Sequence, residues 1–138
     1  MGNKYILDAC ALAAFIKKET GFDVVRDILK EAGNGKVEVY MNKLNLFEVF
    51  YGIRRADGLT QAQNVYNAVL KLPIVIIDGI ADKVFLEASR IKSSYKMSLA
   101  DSIALGEASV LDAAIITSDH HEFDLVEQSE NIAFAWIR

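Results

Sequence analysis

The chain has 138 residues, 52% of them hydrophobic, with one proline, one cysteine and a formal net charge of −4. That is the size of one ordinary domain with ample material for a packed core, and a lone Cys10 excludes a disulfide framework or a cysteine-rich zinc site and suits a reducing cytoplasm. Net acidity excludes holding nucleic acid by bulk positive charge, and no apolar run is long enough for a signal peptide or a span of ~20 residues across a membrane.

Lys4-Tyr-Ile-Leu is a short apolar run of the strand type, and Asp8 after it is a residue that caps a helix, here Ala9 to Lys18. Thr20 is placed to cap a second helix, Gly21 to about Glu31, in which Val24, Val25, Ile28 and Leu29 keep i, i+3, i+4 spacing. Gly33-Asn34-Gly35 ends it with residues that tolerate positive φ. Val37 to Met41 reads as a second strand. Lys43 to Ala56 reads as a longer helix stopped near Gly58. Its Leu44, Phe47 and Tyr51 line one face and Leu46, Phe50 and Ile53 another, the pattern of a helix buried on both.

Thr60 to Leu72 is a further helix closed by Pro73, and Ile74 to Ile77 is a β-branched run expected to be a fully buried strand. Asp78 or Gly79 opens a helix reaching about Tyr95, with Val84, Phe85, Ala88 and Ile91 on one side. Ser98 caps the next helix, which carries Asp101 and ends near Leu111. Ala113 to Thr117 is a fourth strand, Asp119 to Asp124 a polar connection with at most one helical turn, and Ile132 to Ile137 a last short strand. This alternation predicts an α/β fold, a three-layer α/β/α sandwich on a mainly parallel sheet with right-handed crossovers, in one domain over 1–138.

Four acids have separate reasons to meet at one sheet edge. Asp8 and Asp119 each follow a strand, Asp101 lies in the first turn of a helix, and Glu48 stands inside an apolar stripe, where a glutamate is unusual. Each also has an ordinary structural explanation. Asp8 and Asp119 suit helix caps, Ser98 to Asp101 a capping turn at the positive end of a helix dipole, and Glu48 a buried ion pair. Together they point to a cation, because clustered carboxylates repel one another and burial disfavours their charge. An all-oxygen donor set favours Mg²⁺ or Mn²⁺ and suits phosphodiester hydrolysis. Asp124 is a weaker fifth acid. The adjacent His120 and His121 point different ways and lack the companions of a zinc site.

These residues carry a family resemblance across essentially the whole chain. Tyr5-Ile-Leu-Asp8-Ala-Cys-Ala-Leu, Asn45-Leu-Phe-Glu48 with Tyr51-Gly52-Ile53, Ser98-Leu-Ala-Asp101-Ser-Ile-Ala-Leu and Ile115-Ile-Thr-Ser-Asp119-His-His-Glu-Phe123 resemble PIN-domain ribonucleases, in particular the VapC-type toxins of toxin–antitoxin pairs. The resemblance implies Asp8, Glu48, Asp101 and Asp119 as catalytic ligands of Mg²⁺ or Mn²⁺, an RNA substrate, a cognate antitoxin and a homodimer. Cys10 departs from the pattern, standing where many relatives carry a hydroxyl, and a thiol is a poorer hydrogen-bonding group. Arg54, Arg55 and Lys96 are the cations expected nearest the site, with Lys17 and Lys18 further away. A catalytically inactive PIN-like binding module is the main alternative. A phospho-acceptor domain fits poorly, since Asp8 has no acidic neighbour and no lysine follows Lys96.

Overall fold

A computed structural model describes residues 3–138. Strands β1 (Lys4–Leu7), β2 (Glu38–Asn42), β3 (Val75–Ile77), β4 (Ala114–Thr117) and β5 (Phe134–Trp136) form one parallel sheet in the order β3-β2-β1-β4-β5. Between them run helices α1 (Ala9–Lys17), α2 (Phe22–Gly33), α3 (Lys43–Asp57), α4 (Leu59–Leu70), α5 (Asp82–Ser94), α6 (Leu99–Leu111) and α7 (His120–Ser129). Successive strand side chains face opposite ways. Leu7 and Ile116 therefore join the core under α1 to α4, whereas Ile6 and Ile115 join the core under α5 to α7. The result is the α/β/α sandwich expected, with helices on both faces. Among the described residues, no helix is long and apolar enough to cross a membrane.

Strand order matters for function. The chain builds outward from β1 through β2 to β3, then returns to the other side of β1 for β4 and β5. Direction reverses between β1 and β4, and crevices at such a reversal, at the carboxyl ends of the strands, are where open α/β sheets bind ligands. Leu7 pairs with Ile116, so Asp8 leaves the sheet beside Thr117.

Several local expectations are corrected. Helix α3 is not buried on both faces: Leu46, Val49 and Ile53 are buried, but Phe47 and Tyr51 are 58% and 43% exposed and pack on each other, with ring centroids 5.5 Å apart. The β-branched run is not a fully buried strand, because β3 is the sheet edge and Val75 is largely exposed. Asp78 does not open α5. It reaches Lys43 at 3.6 Å, the helix begins at Asp82, and Phe85 faces solvent. The stretch after Asp119 is a ten-residue helix, because Phe123 and Val126 form a buried i, i+3 pair within its polar run. Each such side chain contributes roughly 1.5–3 kcal/mol on burial. Gly21, not Thr20, caps α2, with φ +98 and no side-chain bond. Of the three residues ending α2, only Gly35 takes positive φ.

Helix α6 is the central element of its layer, and it packs very close to α5. A Cβ on Gly106 would lie 2.9 Å from the Cβ of Ala88 and 3.1 Å from its backbone nitrogen. One residue on, Glu107 is 1% exposed. One of its oxygens accepts from Asn42 Nδ2 at 2.9 Å, and the other has no partner among the described residues. Asn42 also caps α3 through Leu44 N and donates to the Gly79 carbonyl, so this contact ties α6 to the end of β2.

Burial raises the Glu107 carboxyl from 4.5 to about 7, against a smaller lowering by Asn42. Between those values the unfolded chain has lost the proton that the folded one keeps, so stability falls as pH rises from about 4.5 to 7 and levels off above. In urea unfolding at pH 5 and pH 8, wild type should therefore lose about 1–3 kcal/mol more than Glu107→Gln over that interval. Equal losses in the two proteins would mean that Glu107 does not titrate in this range.

Candidate metal centre

At the reversal point, short structural elements turn carboxylates toward one crevice. Asp8 ends β1 and caps α1, its Oδ1 accepting from Ala11 N at 2.8 Å. Its own backbone nitrogen donates to the Ile116 carbonyl of β4. Thr117, fully buried, connects the two sides: its Oγ1 accepts from Asp119 N at 3.0 Å, and its side chain is hydrogen-bonded to the Asp8 carboxylate. Asp119 caps α7 and accepts from Glu122 N at 3.2 Å. Asp101 enters from the first turn of α6, where its nitrogen donates to Ser98 Oγ. Glu48 enters from α3 and is partly buried.

Carboxylate oxygens of Asp101, Asp119 and Glu122 all lie within 4.8 Å of one another. Asp8 and Glu48 stand outside that trio, yet near enough to share its field. Burial raises Asp8, which is 1% exposed, to about 7, and the charges of Asp101 and Asp119 add to this. Asp101 also rises to about 7, through burial and then through Asp119, Glu48 and Glu122. Glu48 is pushed up by burial and by Asp119. Among the described residues no salt bridge reaches Asp8, Glu48, Asp101, Asp119 or Glu122.

Five carboxyl groups, two of them strongly desolvated, thus face one another with no protein cation between them. Hard oxygen donors in this arrangement fit a divalent cation such as Mg²⁺ or Mn²⁺. Glu122 was missed by sequence reasoning. The available signal was its i, i+3 relation to Asp119, which becomes visible once that stretch is read as a helix with Asp119 at its cap.

The neighbouring polar residues divide clearly. Burial, then the charges of Asp8, Asp119 and Asp101, with a hydrogen bond to Ser118 acting the other way, raise the Cys10 thiol. It therefore faces the acids as a neutral thiol. His120 is held at Nδ1 by Asp124 (2.7 Å) and at Nε2 by the Arg138 carbonyl (2.9 Å), so neither ring nitrogen is free for a metal. Asp124 is thereby accounted for as its partner. His121 instead lines a cleft with Tyr95, Lys96, Glu122 and Leu125. Lys17 lies closer than sequence logic implied, because it lines a cleft with Glu48, Cys10 and Gly52 between α1 and α3. Arg55 sits over the Tyr51 ring, 5.8 Å from its centroid.

Fold and side chains together define an α/β domain with an acid-lined crevice at its topological switch. The PIN domain family model matches residues 5–128, and the chain belongs to that family. No curated protein matches it. Its fold is similar to a DNA-bound VapBC from Salmonella typhimurium (15% identity, 98% of each chain covered, TM-score 0.74). It is also similar to VapBC-1 from nontypeable Haemophilus influenzae (14% identity, 97% of this chain and 98% of that one, TM-score 0.70). A third is VapC20, a sarcin–ricin-loop-cleaving toxin of Mycobacterium tuberculosis (10% identity, 91% of this chain and 95% of that one, TM-score 0.64). At these identities the likeness is one of fold.

A cation that binds only the folded, ionised site raises the melting temperature by mass action. Millimolar Mn²⁺ should raise it at pH 8 and progressively less toward pH 6, where Asp8 and Asp101 take up protons that compete with the metal. Without metal at pH 8, Asp101→Asn should melt about 3–10 °C higher than wild type, because mutual repulsion is relieved, and should lose most of the Mn²⁺ response. Thermal melts across that pH range check both. A wild-type melt indifferent to Mn²⁺ would remove the metal centre.

Proposed function

We propose that this chain is a divalent-metal-dependent endoribonuclease, the VapC-type toxin of a toxin–antitoxin pair, acting as a single domain over 1–138 in the cytoplasm. The observation that carries this reading is the group of five neighbouring carboxylates, Asp8 and Asp101 strongly desolvated and Asp101, Asp119 and Glu122 converging, without a salt-bridge partner at the switch of a PIN fold. Asp101, Asp119 and Glu122 would hold the ion through their converging oxygens, with Asp8 and Glu48 completing its negative surroundings. A bound Mg²⁺ or Mn²⁺ supplies Lewis acidity and an activated water for phosphodiester hydrolysis.

The chain's own groups do the positioning. Thr117 orients Asp8 through its side chain and Asp119 through its backbone nitrogen, keeping the acids of two strands in register. Lys17, in a cleft with Glu48, and Lys96, in a cleft with Glu122, offer local positive charge for an RNA backbone that the net charge of −4 would otherwise repel. Partner proteins have surfaces to use as well. Phe47 and Tyr51 on α3 and Phe85 and Leu86 on α5 are exposed apolar side chains on separate helices, as an antitoxin and a second copy of the chain would require. The neighbours described as VapBC complexes support the antitoxin assignment.

Cleavage of single-stranded RNA in Mn²⁺ tests the reading. Asp8→Asn and Asp101→Asn should abolish it. Thr117→Val, which keeps the buried shape but removes the hydroxyl, should lower it by roughly 10–100-fold, as loss of a supporting group around ligands does. Full activity in both Asn variants would exclude these acids as the catalytic group, and a wild type that binds RNA without cleaving it would leave an inactive binding module.

A further inference from the structure

An aromatic column stands beside the acids, and the catalytic reading does not use it. Phe134 and Trp136, two residues apart on β5, are stacked with centroids 5.3 Å apart. Trp136 is stacked in turn on His120, at 3.8 Å and 9° between planes. Trp136 is opposite Thr117 in the sheet register, and His120 directly follows Asp119, so the elements that carry the column also carry residues of the acid crevice.

The His120 ring is unusually fixed for a surface side chain. Asp124 holds one nitrogen, the Arg138 carbonyl holds the other, and Trp136 covers one face. Trp136 is itself pinned by its Nε1–H donating to Glu127. With both ring nitrogens engaged, His120 is not free to act as a metal ligand. The His120 side chain nevertheless remains 50% exposed, which leaves the face opposite Trp136 open.

We propose that the His120–Trp136 stack is a base platform, on which a nucleobase flanking the scissile phosphate of a single-stranded RNA lies. The proposal rests on the RNA-cleavage reading above. Single-stranded RNA is recognised largely by stacking bases on Phe, Tyr, Trp, His or Arg, and any base offers a π-face. A ring ordered before binding contributes its stacking without first losing rotamer freedom. The edge of the ring is bordered by Asp124, and Glu127 lies at the indole nitrogen, which disfavours phosphate there and favours a base. The Arg138 guanidinium donates to the Thr20 carbonyl at 2.6 Å and lies 4.0 Å from Glu19, so it is a partly exposed but already paired cation.

Trp136 is the sole tryptophan, so its emission reports on this position alone. Labelled oligouridine and an abasic strand of equal length are titrated into the full chain with Ca²⁺ in place of Mg²⁺, following anisotropy and tryptophan emission together. Oligouridine should shift Trp136 emission and the abasic strand should not. His120→Leu should weaken oligouridine binding by about 5–100-fold. His120→Tyr, which restores a planar face, should bind within about twofold of wild type by the same stacking logic. The Mn²⁺-induced rise in melting temperature should be the same in all three proteins.

Oligouridine binding with Trp136 emission unmoved, or equal affinity in His120→Leu, overturns the platform and leaves the nuclease reading intact. Failure of wild type to bind or cleave any RNA, with its Mn²⁺ response preserved, overturns both.

Discussion

Electrostatic repulsion confined to one crevice is the constraint around which this molecule is arranged. Asp8 and Asp119 leave neighbouring strands at the same edge of a parallel sheet, and Asp101 is brought over them by the first turn of α6. Burial withholds the water that would otherwise soften their interaction, so two of the carboxyls rise to about 7. A chain selected for stability alone has no reason to assemble acids in this way. The rest of the fold holds them there. Strand register fixes Asp8 beside Thr117, and the two apolar cores clamp the sheet from both faces.

Most of that architecture was legible in the sequence because it depends on periodicity and punctuation, both local. The strand-then-acid and cap-then-acid patterns at Asp8, Asp101 and Asp119 placed those residues at one edge without any knowledge of strand order. What escaped depended on tertiary position. Val75, Ile76 and Ile77 have the composition of a central strand, and only the sheet order shows that they form an edge. Phe47 and Tyr51 have the spacing of a buried stripe, but helical period cannot distinguish a core face from one left open to a partner.

Helix α7 was under-read for a related reason. Its buried pair, Phe123 and Val126, is diluted by histidines and acids, and with it went Glu122. Lys17 was misplaced because distance along α1 says nothing about the cleft that α3 closes against it. Glu107 gave no sequence signal, since a glutamate near a helix end is ordinarily solvated. Its burial against Asn42 follows from how α6 is threaded through the middle of its layer, where Gly106 meets Ala88.

The position of β1 in mid-sheet also governs when the crevice can exist. β1 binds β2 on one side, yet its other partner is β4, with Tyr5 opposite Ala114, nearly the whole chain apart. Contacts so distant in sequence form late and slowly, because a long loop must close before they are rewarded. Asp8 therefore waits alone at the end of an early strand, separated from Asp119 until the last part of the chain has been made and has docked. A nascent or truncated chain lacking β4 holds no acid cluster. The acids therefore come together only once β4 and α7 have been made and docked against β1.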